Sequence, residues 1–197
     1  PCVAMYEDPE LSPGIPAIFC STEAILRLLI RHLKAHRHQC IGYLAGYSVA
    51  WAASVTIANA PRVWREEGLT LPRAHLLSGP YGVDSGRRLG HRILSRKPRP
   101  TALICGDDMM ALGAWQATEQ LGRRVPQDVA IAGIGNFLDP VLPLTSVDHG
   151  FAEISEKAVE LLHQLIQGVR PPKRTLVAPR LVPRASCGER LRPPVPK

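Results

Sequence analysis

The run Thr101-Ala102-Leu103-Ile104-Cys105-Gly106-Asp107-Asp108-Met109-Met110-Ala111-Leu112-Gly113-Ala114 continues to Leu121-Gly122-Arg123-Arg124-Val125-Pro126-Gln127-Asp128-Val129-Ala130-Ile131-Ala132-Gly133. It reads as one strand–helix–strand unit. Thr101 to Cys105 is a short apolar run, as expected of a strand buried on both faces. Asp107 and Asp108 stand where a helix N-cap is required, because a carboxylate oxygen there satisfies backbone N–H groups that lack a helical partner. Met110, Ala114, Ala117 and Leu121 then share one helical face. Gly122 is suited to a left-handed stop, Pro126 prevents continuation, and Val129 to Ile134 is a second buried strand. Two strands joined through a helix run parallel, and ligands of parallel sheets gather at the strands' carboxyl ends. The Asp pair lies at such an end.

The pattern extends outward from this unit. Pro1 to Tyr6 and Ile15 to Cys20 are strand-like, and Thr22 to Lys34 is an amphipathic helix. Cys40 to Ala45 is a strand closed by Gly46. Residues 47–60 mix helix formers with β-branched residues, and Pro61 is expected to break or kink a helix there. Leu76-Leu77-Ser78 is a strand and Ser85 to Arg96 a helix. A Pro-rich turn over residues 139–143 leads to the strand Leu144-Thr145-Ser146-Val147 and a helix from Phe151 to Gln167. Leu176 to Val182 is a last extended run. Residues 188–197 hold three prolines and three basic residues without pattern and are expected to be a disordered tail. Alternating strands and helices imply parallel sheets flanked by helices.

Composition narrows the chemistry. Twenty-four Lys and Arg against 17 Asp and Glu give +7 over 197 residues. Scattered arginines read first as a solvated surface. Arg87, Arg88, Arg92, Arg96, Lys97 and Arg99 are the best candidates for a nucleic-acid patch, but 5% aromatic content argues against a base-stacking face. Five cysteines, an odd number without a Cys-x-x-Cys pair, read as reduced small apolar residues of a cytoplasmic protein. His32, His36 and His38 cluster at a helix end, where positive charge is favourable without any metal. No metal ligand set, cofactor motif, catalytic constellation or membrane span is expected. Asp84-Ser85-Gly86 lacks the pattern of a nucleophile elbow. The chain opens on Pro1 without an initiating Met, so it is expected to begin inside a longer protein.

The Asp107-Asp108-Met-Met-Ala-Leu-Gly-Ala segment and the Leu-Gly-x-x-Val-Pro-x-Asp-Val turn resemble the lactose/purine-repressor (LacI/GalR) family of bacterial transcription regulators. Ile41-Gly42-Tyr43-Leu44-Ala45-Gly46, Asp84-Ser85-Gly86, Leu144-Thr145-Ser146-Val147 and Ala185-Ser186-Cys187 resemble further family segments. The resemblance covers most of residues 1–187. It implies an α/β, two-lobe, type I periplasmic-binding-protein-like fold, with the first lobe incomplete at its amino-terminal side. The lobes expected on this basis are 1–47 with 148–178, and 48–147 with 179–187. Nothing in the sequence resembles the helix-turn-helix headpiece or hinge helix of the family, so operator DNA would be contacted only through a headpiece outside these residues.

The resemblance also implies an effector site made of Asp107, Asp108, Tyr81, Asn136 and Ser54. Several usual contacts are altered. Ser54 stands where the family carries an arginine, Gly135 where it carries an Asp, Asp107 where it carries Asn, and Ala24 where it carries an acidic or polar residue. A hydroxyl does not replace a guanidinium fork. Two lost charged hydrogen bonds, each worth roughly 1.5–3 kcal/mol, would weaken an ordinary effector by about 10²–10⁴. Arg37 occupies a position where the family favours a helix-stopping Gly. The function implied is that of an effector-sensing, homodimerising domain that binds a small sugar, sugar acid or purine-like ligand. The alternatives are a periplasmic-type sugar-binding protein, an enzyme, and a degenerate remnant with weak ligand binding.

Overall fold

A computed structural model describes residues 1–5, 13–47, 52–138 and 141–188, without the side chains of residues 47 and 52–56. The expected tail and part of the Pro-rich turn lie outside the described residues. Two sheets result. The smaller contains β1 (Ala4–Met5), β2 (Ala17–Cys20) and β8 (Arg174–Val177), all parallel, in the order β1-β2-β8. The larger contains β3 (Ile41–Tyr47), β4 (Leu76–Pro80), β5 (Ala102–Cys105), β6 (Ala130–Ile134), β7 (Thr145–Asp148) and β9 (Arg180–Val182) in the order β4-β3-β5-β6-β7-β9. Only the β7–β9 pairing in it is antiparallel.

Strand alternation explains how the larger sheet is covered. Ala102 and Ile104 of β5 face a core with Ile41 and Tyr43, packed by α1 (Thr22–Ala35) and α2 (Ala52–Glu66). Leu103 and Cys105 face the opposite core with Leu44 and Ile131, packed by α3 (Val83–Leu94) and α4 (Asp108–Gln120). A period of two thus sends neighbouring residues of one strand into different cores. α5 (Phe151–Ile166) covers the smaller sheet through Ile154, Ala158 and Leu161, which pack with Ile18 and Val177.

Three expectations are corrected. First, α1 and β3 belong with the larger sheet, not with the smaller one. The chain leaves the smaller sheet near Ser21 rather than near residue 47, because β3 pairs with both β4 and β5 and the apolar stripe of α1 needs that sheet's face. Second, Pro61 lies inside α2, which runs on to Glu66. Burial of Ala60, Val63 and Trp64 holds the helix across the missing N–H, and Trp64 Nε1 donates to Ile41 O at 3.1 Å. Third, Leu176 to Val182 is two strands, one in each sheet. Arg37 does adopt the left-handed conformation, with φ 66°, at a cost of about 1 kcal/mol relative to Gly.

α3 and α4 approach so closely that only glycine fits between them. A Cβ on Gly113 would lie 2.0 Å from Val83 O, and one on Gly86 would lie 2.1 Å from Met110 O. At Gly90 the nearest atoms are milder, at 3.0–3.1 Å, on Ala117 and Ala114. Neither of the tight positions has a flexible side chain to yield; backbone must move. Gly113→Ala and Gly86→Ala are therefore expected to destabilise the chain by at least about 2 kcal/mol, and Gly90→Ala by less. Urea denaturation of the three variants measures the order.

The smaller sheet is less covered. Leu176 is 62% exposed, and Val159 and Ile166 are also exposed on the lobe built around it. β1 has no second strand neighbour among the described residues. Exposed apolar area beside an open edge favours association. The isolated chain is expected to self-associate at micromolar concentration, and a monodisperse monomer in multi-angle light scattering would refute this.

Candidate functional site

The larger sheet changes direction of growth at β3. β4 is added on one side of β3 and β5 on the other. The connecting helices α2 and α3 accordingly pack on opposite faces. In open parallel sheets the crevice at such a switch point, beyond the carboxyl ends of the strands, is where ligands bind. Here it is bounded by Gly46 near the end of β3, Tyr81 after β4, Gly106 and Asp107 after β5, and Gly135 to Phe137 after β6.

Two glycines make its floor. A Cβ on Gly46 would lie 2.0 Å from the Tyr81 ring, so the ring rests directly on the backbone of β3. A Cβ on Gly106 would lie 2.4 Å from Gly46 N. Tyr81 is 49% exposed above this floor. Its phenol is pushed up first by burial and then by the Asp107 carboxylate.

The two aspartates have different tasks. Asp107 is the N-cap of α4, and its Oδ1 accepts from Met110 N at 2.6 Å. Partial burial raises its pKa, against the backbone hydrogen bonds that lower it. Asp108 is 1% exposed. Its Oδ1 accepts from Ser146 Oγ at 2.7 Å and its Oδ2 from Phe137 N at 2.7 Å. A Cβ on Gly133 would lie 2.2 Å from Asp108 Oδ1. Asp108 is therefore a brace among β6, β7 and the loop after β6, and its expected effector contact is corrected on that ground: both oxygens are already bound beneath the surface.

Asn136 lies on the rim in the left-handed conformation, φ 60°. Its N–H donates to Ser146 Oγ at 3.0 Å, and its Oδ1 accepts from Arg184 Nη2 at 2.7 Å. Arg184 also donates to Leu144 O at 2.7 Å. The Asn136 carbonyl is thus engaged, while its amide N–H₂ group is left for other partners. Gly135 has φ 124°, and a Cβ on it would lie 2.1 Å from the Phe137 ring. An Asp at that position would have to displace Phe137, which explains physically why none is there. The side chain of Ser54 lies outside the described residues.

Reasoning from sequence missed Phe137, His149 and Arg184. Phe137 is largely exposed, and its ring meets the His149 ring edge-on with centroids 6.1 Å apart. Burial lowers the His149 pKa, partly offset by Asp148 and Asp108. The one available signal was positional, since both follow a buried strand directly. Arg184 gave no signal, because its role depends on β9 lying beside β7. Among the described residues no group of three His, Cys, Asp or Glu is placed to hold a metal ion, and no helix is long and apolar enough to cross a membrane.

These features define an α/β binding-protein-like core, with a candidate ligand rim at the switch point of a parallel sheet. A family model described as a periplasmic binding protein-like domain matches residues 30–187. The chain belongs to this family, as an effector-binding core of the LacI/GalR type. The HTH-type transcriptional repressor PurR of Shigella dysenteriae serotype 1 is 31% identical over 165 residues, which span 81% of this chain and 48% of the repressor. The same repressor from Escherichia coli O1:K1 matches with the same identity and coverage. The chain thus spans about half the length of the curated relatives it matches. Among solved structures, the lac repressor dimer bound to operator and the anti-inducer ONPF superposes with a TM-score of 0.83 at 26% identity, covering 95% of this chain and 56% of that one. A LacI-family regulator from Sanguibacter keddieii gives 0.80 at 27% identity, covering 94% and 71%.

The division of labour between the aspartates is measurable. Asp107→Ala removes a helix cap and should cost about 1 kcal/mol. Asp108→Ala strands a buried hydroxyl and a backbone N–H together and should cost about 3 kcal/mol or more. Equal losses in chemical denaturation would contradict this assignment.

Proposed function

We propose that this chain is the effector-sensing domain of a transcriptional regulator, and that a small molecule binds at the rim formed by Tyr81, Asp107 and Asn136. The observation that carries this reading is the half-exposed Tyr81 ring laid over Gly46 beside Asp107 at the switch point. An aromatic face next to a carboxylate and a free amide suits a polyol or a flat heterocycle, so a sugar, sugar acid or purine-like compound is the class proposed. Binding would favour one arrangement of the two lobes over another, and that difference is what a sensor transmits. The role is one of binding rather than catalysis, in keeping with relatives that are repressors.

The regulator would work in the cytoplasm as a homodimer, and operator DNA would be met through a headpiece beyond these residues. The rim lacks a guanidinium fork of its own among the described residues, because Arg184 is committed to Asn136 and Leu144. Weak affinity is therefore part of the proposal, and a remnant with little binding is its limiting case.

A thermal-shift and calorimetric screen of hexoses, sugar acids and purines tests it. Hits are expected with Kd weaker than about 10 µM, and Tyr81→Ala should weaken any hit by about tenfold, or 1.4 kcal/mol. Sub-micromolar binding would overturn the argument from altered contacts. Binding untouched by Tyr81→Ala would move the site elsewhere.

A further inference from the structure

We propose that the depression between the turn Arg73–His75 and the end of α3 is a second binding site, for a small organic phosphate. The depression measures about 430 Å³ and is lined by Arg73, Ala74, Leu76, Leu77, Arg92 and Arg96. That volume is within the range of about 300–1,000 Å³ typical of small-molecule sites. Three guanidinium groups from two separate elements share it, and its lining includes no carboxylate.

This arrangement differs from the rest of the surface. Elsewhere the chain pairs many of its arginines. Arg27, Arg31 and Arg62 meet Glu23, Glu66 and Glu67 between α1 and α2, Arg87 meets Asp84, and Arg180 meets Asp148. Arg73 and Arg92 have no ion-pair partner among the described residues, although Arg92 lies on the same helix as the Arg87–Asp84 pair. The helix dipole favours cations near the end of α3 and accounts for the sign of Arg92 and Arg96. It does not account for Arg73, which faces them from a 3₁₀ turn that is not part of α3. Arg96 Nη1 donates to Ala74 O at 3.0 Å, so the two walls are tied together rather than free to part.

The chemistry of the lining selects the ligand. Guanidinium forks match phosphate oxygens in pairs and are weakly hydrated, so the charge they offer is readily desolvated. Leu76, Leu77 and Ala74 add an apolar part, which suits an anion carrying a ring or carbon body better than a bare ion. A depression of this size takes a short phosphate chain, whereas a nucleic-acid duplex needs an extended basic surface. The site is also separate from the effector rim. It lies at Leu76 and Leu77, the amino end of β4, while Tyr81 follows the carboxyl end of that strand, about 16 Å from Leu76 at the rise of an extended chain.

Titration calorimetry of the full 197-residue chain, with inorganic triphosphate and ATP as probes in about 50 mM salt, tests the proposal. Saturable binding with Kd on the order of 10–100 µM is expected, ATP being the tighter, while any binding of adenosine should be indifferent to Arg73 and Arg92. Arg73→Ala with Arg92→Ala should weaken both probes at least about tenfold, and Arg92→Lys, which keeps the charge but loses the fork, a few-fold. Arg170→Ala and Tyr81→Ala should leave the affinity for inorganic triphosphate unchanged, which separates this site from general positive charge and from the effector rim. Circular dichroism establishes that each variant is folded. If the double variant is unfolded, Arg92→Lys and Arg92→Gln decide. Absence of saturable binding, equal affinity in the groove variants, or displacement of triphosphate by duplex DNA acting through the same arginines would each overturn the proposal.

Discussion

A single buried carboxylate organises the carboxyl end of the larger sheet. Asp108 holds the hydroxyl of Ser146 and the backbone N–H of Phe137 while lying against the bare Cα of Gly133. Burying a charge is tolerable when hydrogen bonds replace the water it loses. These bonds also set the path of the loop after β6. The rim inherits its shape from that path: Asn136 is turned into the left-handed region, its N–H reaches Ser146, and its side chain reaches Arg184. Without Asp108 the loop would lose its tie through Phe137 N to the sheet beneath it.

The same economy appears at the closing end of the sheet. Ser186 accepts from Thr145 N at 2.8 Å and donates to Ile131 O at 2.6 Å, while Thr145 Oγ1 donates to Arg184 O at 2.9 Å. A segment that resembles the family in sequence, Ala185-Ser186-Cys187, thus works as a polar plug between β6 and β7. Its polar atoms are engaged in hydrogen bonds to β6 and β7. The glycine seam between α3 and α4 belongs to the same logic, since it fixes the helix that Asp107 caps.

The element pattern of the larger sheet was legible because its strands are short apolar runs and the helix between β5 and β6 has clean stops at Gly122 and Pro126. The lobe boundary was not. Periodicity marks α1 as amphipathic but does not say which of two sheets its apolar face covers, and that is decided by the long-range pairing of β3. Pro61 misled for a related reason, because local propensity opposed a helix that burial of Trp64 and Val63 maintains. At the candidate site, the place of Asp107 at a strand's carboxyl end was legible from position, whereas Tyr81 was pointed to by the family resemblance alone. The division between Asp107 and Asp108 was not, since adjacent carboxylates look alike until the neighbours that bury one of them are known. Phe137, His149 and Arg184 depend on how loops and β9 are arranged, which no local pattern encodes.

The smaller sheet is stitched from the two ends of the described chain. Ala17 pairs with Arg174, and Cys20 with Val177. Between them lies nearly all of the larger sheet with its four helices. During synthesis β2 therefore has no β8 to pair with until the larger lobe has emerged, and closure of that long loop is slow unless the intervening chain is already compact. The larger lobe is in effect the scaffold that delivers β8 to β2. β9, Arg184 and Ser186 follow β8 in the chain, so the segment that closes the smaller sheet also carries the pieces that fix Asn136 and plug β6 against β7, and neither lobe is complete before that segment emerges.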